Sequence, residues 1–158
     1  MSSAGNRWTL IAALVPAGVV TTHTVFILRH PPALPMQLYL CAVLNSLVAN
    51  WFVRLYIGTH VTSALMARLP VPLPDRTPCP PGTCGVPWKR LARAAARLRR
   101  IPAAALEASD EYLRLQAEVA RLYGLSRVQM EVILAGTPHL GATARAAILE
   151  RVDPFPAA

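Results

Sequence analysis

Not one carboxylate occurs in the first 74 residues of this chain; the charged side chains there are Arg7, Arg29, Arg54 and Arg68. Carboxylate acid–base chemistry is thereby excluded from that half, and no clustered acids suggest it further on. Lysine is almost missing too, with Lys89 the single example. Three cysteines are too few for a disulfide framework. Cys41 reads as core packing, and Cys79 and Cys84 flank PPGT with the spacing of half a zinc site. No second pair follows, and His23, His30, His60 and His139 lack ligand spacing, so neither a metal nor a disulfide is expected. Reducing cytoplasm is the expected compartment. There is no glycine-rich strand-to-helix turn, phosphate loop or G-x-S-x-G nucleophile turn. Proline pairs occur as HPP and CPP, so an N-P-P-Y loop of the kind that holds a flipped adenine is absent as well. The chain alone is expected to be neither an enzyme nor a cofactor binder.

What remains is apolar and basic. At 158 residues and 54% apolar content the chain can bury a core and is not disordered wholesale. The net charge of +8 is unevenly spread. Residues 75–106 hold seven cations against Asp75, whereas from Glu107 onward seven carboxylates face five arginines. A basic excess in the first two thirds suits an anionic partner such as nucleic acid or a lipid surface. Leu38–Ile57 is long enough to span a bilayer. However, Ser46, Asn50 and Arg54 at i, i+4 and i+8 share one helix face, which is costly in hydrocarbon. The earlier run WTLIAALVPAGVV is interrupted by Pro16 and Gly18 and lacks a cleavage signal. A soluble helix pair is therefore preferred, with a small membrane-associated protein as an alternative.

The pattern predicts an α+β fold, predominantly helical. TLIAALV and VVTTHTVFILR are β-branched-rich runs on either side of Pro16-Ala17-Gly18, which reads as a β-hairpin. Both runs are apolar on both faces, so they call for a larger sheet. A long helix from about Met36 to Ile57 should stop at Gly58, and Thr59 should cap a second helix to about Leu69. Prolines 70, 72, 74, 78, 80, 81 and 87 make residues 70–88 a stiff linker. Three or four helices follow: a basic amphipathic one from Lys89, one capped by Ser109 and closed by Gly124, one opened by the Ser126–Gln129 capping box, and one from about Thr143 to Val152. Domain bounds are thus 1–69, 70–88 and 89–158.

Two sets of residues are candidates for nucleic acid. Arg90, Arg93, Arg97 and Arg100 recur at i, i+3, i+7 and i+10 beside Lys89, a phosphate-tracking spacing or else a solvated face. Asn50 and Arg54 could reach adenine and guanine edges, or be hydrogen-bonded inside a core. His60 could touch a DNA backbone or serve the helix start.

The order TLIAALVPAGVVTTHTVFILR, then LPMQLYLCAVLNSLVANWFVRLYIGTHVTSALMARLPVPLP, then AEVARLYGLSRVQMEVIL resembles the C-terminal end of type IIG restriction–modification N6-adenine DNA methyltransferases and related phage-defence methylases. The likeness covers most of residues 7–135 and is weakest in the linker and at 137–158. It implies a target-recognition region that grips double-stranded DNA, with S-adenosylmethionine and the adenine pocket carried upstream. On this resemblance the chain is a DNA target-recognition subunit working with an upstream-encoded methyltransferase, or a truncated remnant of one.

Overall fold

Asn45 and Ser46 divide what hydropathy reads as one long helix. Helix α1 spans Leu34–Leu44 and α2 spans Leu47–Tyr56, with their axes bent by 60° at the break. Ser46 leaves helical geometry, and its hydroxyl accepts from the Ala49 amide as the N-cap of α2. The Asn45 side chain turns to Ala12 instead. Neither helix alone is long and apolar enough to cross a membrane, although the bent pair together passes on length and composition. This computed structural model describes residues 6–22, 25–58, 60–74, 86–137 and 139–152.

Helix α3, Ser63–Arg68, is capped by the Thr62 hydroxyl rather than by Thr59, which lies outside the described residues. Nor does Gly58 take the left-handed stop: the glycines with positive φ are Gly18 and Gly124, and α2 ends in extended backbone at Ile57. Residues 70–74 leave α3 without helix, and two phenols pin them. Tyr123 donates to the Pro70 carbonyl and Tyr39 to that of Pro72, each at 2.6 Å. Cys79 and Cys84 fall outside the described residues. Helix α4, Val86–Leu98, starts within the expected linker, because proline is tolerated in a first helical turn.

A short turn α5, Ala103–Leu106, precedes α6, Asp110–Leu122. Ser109 caps α6 by accepting from Tyr112, with Asp110 and Glu111 in the first turn, where the helix dipole favours acids. Helix α7, Arg127–Ala135, carries the Ser126/Gln129 capping box, and α8 spans Ala142–Val152. Helix α1 lies along α4, and α6 is central, touching α4, α8 and α2. One continuous core joins Tyr39, Val43 and Leu47 to Leu91, Tyr112, Val119, Met130 and Ile148. Packing thus runs across the proline segment. Inside this core the Gln116 carboxamide oxygen accepts from the Leu47 amide at 2.8 Å, so α6 satisfies an orphan donor at the start of α2. A smaller cluster of Ala49, Val53, Leu65 and Leu69 seats α3 on α2.

The expected β-hairpin is not formed: the described residues contain helices and no strand. Pro16-Ala17-Gly18 does turn, with Gly18 at φ +85°, but no ladder follows. Two strands apolar on both faces need cover on both, and an isolated pair is marginal in water. The helices instead capture one stretch, residues 9–12, through side chains. The Asn50 oxygen accepts from the amides of Thr9 (3.1 Å) and Leu10 (2.9 Å). The Asn45 amide accepts from Ala12 N–H at 2.9 Å and donates to its carbonyl at 2.8 Å. Among the described residues the fold is all-helical rather than α+β.

Candidate nucleic-acid interface

Helix α4 separates oil from charge around its axis. Leu91, Ala92, Ala94 and Ala95 are buried, and Trp88 meets Tyr39 edge to face with ring centroids 6.3 Å apart. Lys89, Arg90, Arg93, Arg97 and Arg100 are all exposed. The charged side is itself divided. At about 100° per residue, Lys89 and Arg93 lie about 40° apart on α4, with Arg90 and Arg97 about 40–60° further round, and Arg100 follows in the turn after Leu98. Arg90 and Arg97 face α6. Arg97 donates to Glu111 at 2.5 Å, and Arg90 lies 3.6 Å from Glu118. The bond to Glu111 pushes the Arg97 guanidinium still further from deprotonation.

The sequence pattern therefore overstates the free charge. Spacing along α4 places four arginines on one side without acids between them. Two of them meet carboxylates reaching over from α6, which periodicity within one helix cannot reveal. Lys89, Arg93 and Arg100 form no ion pair among the described residues; Lys89 sits over the Trp88 ring at 5.8 Å. Arg99 is a further cation without an ion pair among the described residues, and the spacing passed over it. It lies off the line, and its charge opposes the upward push that burial gives the Cys41 thiol. The doublet Arg99-Arg100 was its only signal.

The other candidates separate. Asn50 is buried, and besides holding Thr9 and Leu10 it donates to the Ser46 carbonyl at 3.1 Å. Buried, with its oxygen bonded twice and its nitrogen tied to Ser46, it does not face a groove. Arg54 is half-buried and donates to the carbonyls of Asn6 (2.9 Å) and Arg7 (3.1 Å), which leaves its remaining donors as its outward offering. His60 is exposed. The stripe Ser46, Asn50, Arg54 is thus a cap, an internal clamp and a tether.

Most arginines after α4 are tied into the fold. Arg114 and Arg151 pair with Asp110, and Arg127 with Glu131. Arg145 donates to the carbonyls of Thr137 and Leu140, and Arg121 to that of Arg151. Near the N-terminus Arg7 forms a two-bond ion pair with Glu107. No group of three or more His, Cys, Asp or Glu side chains comes together among the described residues. Compared with protein-family models, with curated proteins and with solved structures, the chain matches none.

Proposed function

We propose that this chain binds double-stranded DNA along the outer line of α4. In this reading it is the target-recognition piece of an N6-adenine methyltransferase or restriction–modification system. Methyl transfer, with its S-adenosylmethionine, is the work of an upstream or separately encoded catalytic domain. The observation that carries the DNA contact is that Lys89, Arg93 and Arg100 have no acid partner among the described residues, whereas Arg90 and Arg97 are paired. Exposed arginines without acids can release phosphate counterions, whereas those already paired release fewer. The resemblance of residues 7–135 supports the adenine-methylating context.

Binding of a duplex measured across a salt series tests the contact. Arg93→Glu with Arg100→Glu should weaken binding to all sequences and reduce the salt slope by about two, whereas Arg90→Glu with Arg97→Glu should change it less. Unchanged affinity and slope in the first double variant would overturn the α4 contact. Co-expression with an upstream-encoded chain bearing N-P-P-Y should yield sequence-specific adenine methylation; a pair that leaves DNA unmethylated removes that context.

A further inference from the structure

The stretch from Leu10 to Val15 forms no ladder among the described residues, yet its exposure and hydrogen bonding follow a period of two. Its exposure alternates: Leu10, Ala12 and Leu14 are half-buried, while Ile11 (73% exposed), Ala13 and Val15 (55%) face out. The amides of Leu10 and Ala12 turn inward to Asn50 and Asn45. Asn45, which both accepts from and donates to Ala12, stands in for one rung of a neighbouring strand. In extended backbone adjacent residues aim their N–H and C=O at opposite edges. Ile11, Ala13 and Val15 therefore aim theirs outward, and none of the three is hydrogen-bonded among the described residues. Pro16, with no N–H, ends that edge.

Charge and hydrogen bonding decide what can cover it. No formally charged side chain occurs between Arg7 and Arg29, so a polyanion gains nothing there. Hydrocarbon offers no acceptors for the open amides. A peptide edge supplies donors, acceptors and apolar side chains together, and an open apolar edge is a template for another chain. This edge is also self-complementary, with small Ala13 at its centre and larger Ile11 and Val15 two residues to either side. We infer that two copies of the chain pair antiparallel through Ile11–Val15 about a twofold axis at Ala13, setting Ile11 of one copy opposite Val15 of the other. Three hydrogen-bonded pairs exchange about six backbone bonds. The neutrality of the stretch lets like meet like despite the net charge of +8. The pairing is independent of the DNA contact on α4.

Sedimentation equilibrium over a hundredfold concentration range, with amide exchange of the full chain, tests it. A dimer should appear as concentration rises, and protection of the Ile11, Ala13 and Val15 amides should rise with it. Ala13→Pro deletes the N–H at the axis and should abolish both. Ile11→Glu, which leaves the backbone donors in place, should weaken dimerisation at least tenfold. Both positions are exposed, and circular dichroism should show the helices intact. A chain that stays monomeric throughout, or a dimer indifferent to Ala13→Pro, would overturn the proposal. So would protection of the same amides in a monomer bound to phosphatidylcholine vesicles.

Discussion

Leu47 and Ile11 are both aliphatic side chains in apolar runs, yet Leu47 is fully buried and Ile11 is 73% exposed. The contrast extends to their regions. Around Leu47 the backbone ends are covered: Ser46 caps α2, and the Gln116 oxygen takes the Leu47 amide, although the Gln116 nitrogen and the Tyr112 hydroxyl are buried there without a partner among the described residues. Around Ile11 the backbone is held at Thr9, Leu10 and Ala12 and then released. Of fourteen large hydrophobic side chains exposed among the described residues, nine lie between Ile11 and Leu34, so the apolar surface belongs to one segment rather than to scatter. Hydropathy alone does not bury a run. A helix satisfies its own backbone and can bury one side against other helices, whereas a strand must borrow a neighbour.

Substitutions can press on this difference from both sides. Leu47→Ala should have the largest effect, about 2–5 kcal/mol lost in denaturant unfolding, because its pocket is closed on all sides. Asn50→Ala cuts the tie between the regions. It strands the buried Thr9 amide and should cost about 1–3 kcal/mol, with faster exchange at Thr9 and Leu10. A smaller loss of either kind would mean that the two regions are less distinct than their hydrogen bonds suggest.

The helical region also carries an alkaline signature. Burial pushes the Tyr39 phenol from 10.0 up to about 12, and raises Tyr112 and Tyr123 as well. A folded pKa above the unfolded one favours the neutral phenol in the fold. The stabilisation is complete below pH 10 and is lost as pH climbs through about 12. Unfolding midpoints followed across that window should fall, and Tyr39→Phe should make the decline shallower. Ile11→Ala should do least, changing monomer stability by about 0.5 kcal/mol or less. A larger loss there would place Ile11 in the core after all.

Much of the helical region could be read from local chemistry. The Ser109 and Ser126 caps, the left-handed Gly124 and the outward cations of α4 each follow from a few adjacent residues. What escaped depends on distant ones. At the Asn45-Ser46 break, Asn45 is bonded to Ala12, 33 residues away. Asn50 looked available because its partners, Thr9 and Leu10, lie 41 and 40 residues back. The partial neutralisation of α4 needed Glu111 and Glu118 on another helix. The hairpin failed for the opposite reason: its turn was legible and its cover was missing.

Asn45 also bears on how the chain ages. An asparagine loses ammonia when the amide of the next residue can turn onto its side chain; here the Ser46 amide is tied to the Val43 carbonyl, and the Asn45 side chain is held by Ala12 and Cys41. An aspartate in its place would set an oxygen where a nitrogen now donates to the Ala12 carbonyl, turning attraction into repulsion. The bonds that hold the N-terminal stretch therefore also shield the residue that makes them.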